Sequence, residues 1–372
     1  MALDPQFGEA WALLAIESIR WWDTNYATDP DMLTNAERAL GIAVRLIPNT
    51  PELLFAESHF LFYEKKDIEG CIRRLLEVIA IAPNFNDAKH FLSTRSYHLG
   101  RFTEAENYAQ AALRADPLLT SMQRLLGLIY MRVHDWERAS QHHLERAGIA
   151  NSESVSRRLQ LLASYLRGNT EDIINELQEK DDILNELWYW AFGDAEGVVN
   201  SIPVAARERY GELGSIYLLE RSPSWRYVLA RYISGHEEAQ ASLMAYRDRF
   251  QLKVDSAQNS FLDLSRLGLV QAVLGEEEAS MDSFKQAKLL VNEQIAPGDA
   301  VDLSVDHAIA LAWLGHKAEA VAEFDRLIKG PSMLNVNFMR TCLDFWPLRD
   351  HPGFQAILDD PANSLPLDMD KL

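Results

Sequence analysis

Three histidines, His134, His142 and His143, are the first residues whose type and spacing could do chemistry, since a cluster of imidazoles can ligate a metal. His134 and His142 are eight positions apart and straddle a turn expected at Asp135, while His142 and His143 are neighbours that point about 100° apart on one helix. The set therefore reads as a mixture of surface and packing histidines. A better constellation is His90, Thr94, Tyr97 and His98, which share one helical face, although no carboxylate or cysteine joins them at ligand spacing. His236-Glu237-Glu238-Ala239-Gln240 lacks the second histidine of the helical zinc motif, so it offers no facing pair. The adjacent acids Asp181-Asp182 and Asp359-Asp360 point to different faces if helical, and read as solvated charge.

The remaining catalytic devices are missing from the sequence. There is no phosphate loop, nucleophile elbow or dinucleotide fingerprint, and these need strand-to-helix turns that an all-helical pattern does not supply. Cys71 and Cys342 are too far apart in sequence for paired zinc spacing or a disulfide framework, so both read as buried small hydrophobes. With no acid and base converging on one pocket, the expectation is no enzyme, no cofactor and no metal site. A net charge of -19 disfavours phosphate backbones and anionic lipid alike. No apolar run approaches the roughly 20 residues of a membrane span, and no secretory leader or Asn-x-Ser/Thr site is present. The expected compartment is cytoplasmic.

In the elements that carry these side chains, Pro48, Pro83 and Pro117 recur at spacings of 35 and 34 residues, each after a helical pattern. In Asn86–Leu119, apolar or small residues at Ala88, Phe91, Leu92, Tyr97 and Leu99, then at Ala105, Tyr108, Ala109, Ala112 and Leu113, predict two amphipathic helices. Gly100, in Leu99-Gly100-Arg101-Phe102, can take the positive φ that reverses the chain between them. Asp116-Pro117 ends the unit, because the residue before proline is pushed out of the α region.

A unit with Leu-Gly at the turn, Ala105 early and Ala112 late in the second helix, and Asp-Pro at its end resembles a tetratricopeptide repeat. The frame repeats before it, in Glu52–Phe85 (Phe62, Ile68, Cys71, Val78), and after it, from Thr120 (Leu126-Gly127, Tyr130, Trp136, Ala139). It returns late, with Leu274-Gly275, Ser280, Phe284 and Ala287, then Leu314-Gly315, Ala320, Phe324 and Leu327; the two glycines are 40 residues apart. Between Ile183 and Ser256 the signature fades, although Trp188, Trp190, Tyr210, Tyr217, Trp225 and Tyr232 suggest buried helices. The resemblance implies an all-α right-handed superhelix of antiparallel helix pairs. We divide it into N-terminal repeats (1–150), degenerate helical repeats (151–256), C-terminal repeats with a capping segment (257–358) and a loose tail (359–372).

Both ends carry further signals. Ala2-Leu3-Asp4-Pro5 reads as the close of a preceding helix, as if the chain began inside a longer array, and Trp21–Asn35, with Asp29-Pro30, reads as an insertion forming a surface loop. Gly330-Pro331-Ser332-Met333-Leu334 and the stretch Phe345 to Gln355 are similar to the closing segment of bacterial repeat arrays attached to class III adenylate cyclases, TolB-like regions, kinases and winged-helix regulators. That likeness implies a signalling arm separated from its output domain. Trp346, Leu348, Phe354, Ile357 and Leu358 are expected to cap the last apolar face.

The family's groove lies on the first helix of each pair. Carried over, its positions are Ala56, Phe60, Tyr63 and Glu64 in one repeat, His90, Thr94, Tyr97 and His98 in the next, and Arg124, Leu128, Met131 and Arg132 in the third. Aromatic, methionine and arginine side chains are the composition of protein-binding hot spots. The carboxylate clamp of the chaperone-tail subclass is not reproduced, because Thr94 and Leu128 stand where asparagines are expected. The resulting expectation is a non-catalytic scaffold or regulatory arm that takes a peptide or protein partner. The alternatives are a fragment of a signalling enzyme whose output domain lies elsewhere, and a repeat-array enzyme.

Overall fold

The computed structural model describes residues 4–24, 30–150, 153–169, 194–201, 223–256, 260–291 and 297–372, and every regular element among them is helical. The chain is all-α and solenoid-like, with sequence-adjacent helices packed in pairs. It divides into two compact units, Met1–Leu125 and Leu126–Leu372.

In the first unit α1 (Gly8–Thr24) packs on α2 (Pro30–Leu46), α3 (Pro51–Tyr63) on α4 (Ile68–Ile81), and α5 (Asn86–His98) on α6 (Phe102–Ala115). The expected insertion at Trp21–Asn35 is not a long surface loop. Trp21–Thr24 complete α1 and Pro30–Asn35 open α2, each helix reaching 17 residues, with proline where its missing N–H costs nothing. Asp29 lies outside the described residues. Local caps begin the later helices: the Thr50 side chain accepts from Leu53 N–H ahead of Pro51, and Asp67 accepts from Gly70 N–H.

The second unit contains most of α7 (Thr120–Arg132), then α8 (Trp136–Gly148), α9 (Glu153–Leu166), α10 (Ala195–Ser201), α11 (Pro223–Ile233), α12 (Ala239–Val254), α13 (Phe261–Val273), α14 (Glu277–Leu290), α15 (Pro297–Trp313), α16 (Lys317–Leu327), α17 (Val336–Thr341) and α18 (Pro352–Asp359). Asp181, Asp182, Trp188, Trp190, Tyr210 and Tyr217 lie outside the described residues. Trp225 is buried in the core, whereas Tyr232 is 37% exposed.

One reversal recurs at the end of first helices. Gly100, Gly275 and Gly315 have φ of 74°, 78° and 91°, and the next residue's N–H closes back on the helix: Arg101 to Ser96 O, Glu276 to Gln271 O, His316 to Leu311 O. Lys66 (φ 53°) and His134 (φ 59°) make the same turn without glycine, with Asp67 N–H on Leu61 O and Asp135 N–H on Tyr130 O, both at 2.8 Å. The packing of each pair is then tight. A Cβ on Gly268 would lie 2.7 Å from the Phe284 ring, and Ser93 and Ser280 donate across their pairs to Ala105 O and Gly268 O.

The second unit has contacts that a nearest-neighbour array does not make. Arg132 and Asp302, 170 positions apart, form a two-pronged ion pair with side chains only 3% and 5% exposed. His134 Nε2 donates to Ser332 O at 3.1 Å, and Leu367 N–H donates to Val133 O at 2.8 Å. Further along, Tyr165 of α9 meets Phe338 edge-on, and the indole N–H groups of Trp225 and Trp313 converge on Asp344. The segment from Ser332 to Asp344 therefore lies against first helices from α7 to α15. All of these ties lie within the second unit, Leu126–Leu372.

Two expectations at the C-terminus are corrected. The tail is not loose: Asn363 is buried and donates to Ile357 O, and Leu367 pairs with Val133 as above. Leu348, Phe354, Ile357 and Leu358 are buried as a cap requires, but Trp346 is 39% exposed, with the Arg349 guanidinium stacked 4.0 Å from its ring centroid.

Replacing Lys66 by glycine removes a left-handed penalty at the cost of some chain entropy, and is expected to raise unfolding free energy by about 0.5–1 kcal/mol in urea titrations. Asp302→Ala strands a buried guanidinium and is expected to cost about 3–5 kcal/mol, most of which the double replacement Arg132→Met with Asp302→Leu restores. Equal losses in the single and double variants would show that the cost comes from losing the pair itself and not from the stranded guanidinium.

Candidate functional site

Within the first unit, α3 and α5 lie side by side as first helices of consecutive pairs, and their facing stripes are aromatic. Phe55, His59, Phe62 and Tyr63 fall at helical spacing on α3, and Phe91 and Arg95 follow at i and i+4 on α5. His59 stacks flat on Phe91 with centroids 4.3 Å apart, and Phe62 meets Phe91 edge-on at 5.9 Å. The Arg95 guanidinium lies 3.8 Å over Phe62 and 4.7 Å from Phe91, a cation–π arrangement that is buried. Phe55, Phe62, Tyr63 and Phe91 remain half-buried, so a fixed aromatic surface reaches solvent.

The groove positions inferred from sequence separate into different environments. Ala56 and Phe60 are core: Phe60 packs with Ile19 and Ala39. Phe60 and Glu64 border a cleft of about 450 Å³ lined also by Leu40, Val44 and Arg74, on the side of α3 away from α5. Tyr63 alone of that row joins the aromatic surface. In α5, His90, Thr94 and His98 are half-buried and Tyr97 is buried, its ring edge-on to Phe102. Thr94 spends its hydroxyl on His90 O at 3.0 Å. Arg124 is exposed, Leu128 half-buried and Met131 buried. Arg132, a groove position in the repeat frame, is committed to Asp302 instead.

Phe62, Phe91 and Arg95 were not among the groove positions, because the first two read as ordinary core. The signal that finds them is the pair of stripes on adjacent first helices, which only pairing in space reveals.

The histidine set at 134–143 is three separate packing residues. His134 stacks on Trp136 at 5.3 Å, His142 on Tyr130 at 5.4 Å, and His143 sits under Gly127, whose Cβ would lie 3.3 Å from its ring. Among the described residues no group of three or more His, Cys, Asp or Glu is placed to hold a metal. Among the described residues His143, 3% exposed, has no hydrogen-bond partner for either ring nitrogen, and it occupies the slot that Phe284 fills under Gly268. Burial pushes His59, His134 and His143 each down to about 4, so all three are neutral at pH 7. Burial also pushes the Cys71 thiol up to about 12, which leaves it protonated and a poor nucleophile.

No family model matches the chain, and no curated protein is significantly similar to it. Among the described residues no helix is long and apolar enough to cross a membrane.

The buried histidines make stability pH-dependent with a definite sign. The unfolded chain takes up a proton near pH 6.5 and the folded chain only near 4, so stability is full above 6.5 and falls as pH drops toward 4. Each such group removes about 2 kcal/mol by pH 5. His143→Phe is expected to lose less unfolding free energy between pH 7 and pH 5 than the wild type, by about that amount, in urea titrations followed by tryptophan fluorescence. Identical losses in the two proteins would show that His143 does not titrate across this range.

Proposed function

We propose that the chain is a tetratricopeptide-like, non-catalytic binding module whose first unit receives a peptide or protein segment on the α3–α5 face. The observation that carries this reading is the half-exposed aromatic surface of Phe55, Phe62, Tyr63 and Phe91, held rigid from beneath by His59 and Arg95. Rigid aromatic anchors lose little side-chain entropy on binding and concentrate interface energy. His90, Thr94 and His98 supply polar groups beside them. The Leu-Gly reversals and small-residue contacts favour assignment to the tetratricopeptide class. A role as a bacterial, cytoplasmic signalling arm rests on the likeness of the closing segment to arrays that follow signalling output domains.

A displayed peptide library selected on the purified full chain tests the reading directly. Enriched sequences are expected to contain an apolar anchor, and Tyr63→Ala with His98→Ala is expected to weaken their binding about 25-fold, as the loss of one hot spot implies. Retention of affinity in that folded variant would move the site away from this face.

A further inference from the structure

The second unit carries a separate groove formed by α14, α15 and α16, with a volume of about 840 Å³. Its floor is apolar, built from Met281 and Phe284 of α14 and Leu303 and Leu311 of α15. His307 rises from that floor, edge-on to Phe284 at 5.1 Å, its pKa lowered by desolvation. The walls are charged. Lys285 and Lys288 stand on the α14 side, while Glu319, Glu323 and Arg326 stand on the α16 side.

These charges are not equally available to a ligand. Arg326 grips Glu323 through two contacts, Nε to Oε2 at 2.9 Å and a terminal nitrogen to Oε1 at 2.5 Å, and this pairing lowers the Glu323 pKa. Lys285 and Lys288 are exposed and make no ion pair or hydrogen bond among the described residues. Lys288 is nonetheless close enough to His307 and Glu323 to bear on both electrostatically. Two ammonium groups that make no ion pair or hydrogen bond among the described residues thus line a groove with an apolar floor, in a chain whose overall field is strongly negative.

We infer that this groove is a binding site for an organic anion with an apolar chain, a medium-chain carboxylate being the fitting class. The volume lies within the roughly 300–1,000 Å³ of small-molecule sites. The chain lies along Phe284, Leu303 and Leu311, and the carboxylate sits between Lys285 and Lys288. A cationic amphiphile meets two lysines instead, and a neutral one leaves them unengaged. The site is distinct from the α3–α5 face and does not depend on it.

Isothermal titration of the full chain with decanoate, decanol and decyltrimethylammonium, each below its micelle concentration, tests the assignment. One decanoate per chain is expected, binding at least about tenfold more tightly than decanol, with no uptake of the cation. Lys285→Glu with Lys288→Glu changes only exposed side chains and is expected to weaken decanoate about tenfold or more while leaving the thermal midpoint in place. Ser304→Trp, which fills the floor, is expected to abolish binding. Absence of decanoate binding, equal affinity for decanol, or indifference to the lysine reversals would each overturn the proposal.

Discussion

The reversal that closes each first helix is the constraint on which the helix pairs depend. In these pairs the chain turns through a residue in the left-handed region, and the following N–H bonds back to a carbonyl near the helix end. At Gly100, Gly275 and Gly315 that conformation costs little, whereas at Lys66 and His134 a side chain occupies it. The fold retains those two because the surroundings over-determine them: Asp67 and Asp135 cap the next helix, and at His134 the ring is also fixed by Ser332 and Trp136. The same turn thus starts the second helix of the pair and, in one case, ties it to the far end of its unit.

That tie changes what the second unit can offer a partner. In an open array the first helices present their inner faces to solvent, but here Phe338, Asp344 and the rest of the closing segment pack against α9, α11 and α15. Asp344, fully buried, accepts from Trp225 and Cys342 on its carboxylate and from Trp313 on its carbonyl. Removing that segment would expose the indole donors and a continuous apolar core, so it is a permanent part of the unit. The accessible surfaces are accordingly different in kind: aromatic first-helix stripes in one unit, and a charged second-helix groove in the other.

Much of the fold was legible in the sequence because the determinants are local. Proline spacing, Leu-Gly reversals and alanine stripes placed the pairs of both repeat regions, as each is set within a few turns of helix. Nothing in the local pattern near Trp21 separates a surface loop from the two 17-residue helices that form there. Reversals at Lys66 and His134 carry no glycine, and the buried partner of Arg132 lies 170 positions away, beyond any periodicity. For the site, first-helix positions were identified by frame alone. Rotation of each side chain about its helix, which sends Phe60 to the core and Tyr63 to the surface, is decided by neighbours.

The pair of slots formed by Gly127 with His143 and Gly268 with Phe284 shows how little the repeat asks of a residue. In both, a glycine on the first helix lets an aromatic ring from the second approach closely, and ring shape is what the slot selects. Imidazole satisfies the shape while leaving two nitrogens without partners, a cost that phenyl avoids. The geometry is met by either ring at neutral pH, since burial keeps the imidazole uncharged. A histidine in such a position is packing material with a titratable edge, and its clustering in sequence with His134 and His142 follows from three adjacent slots rather than from a shared ligand.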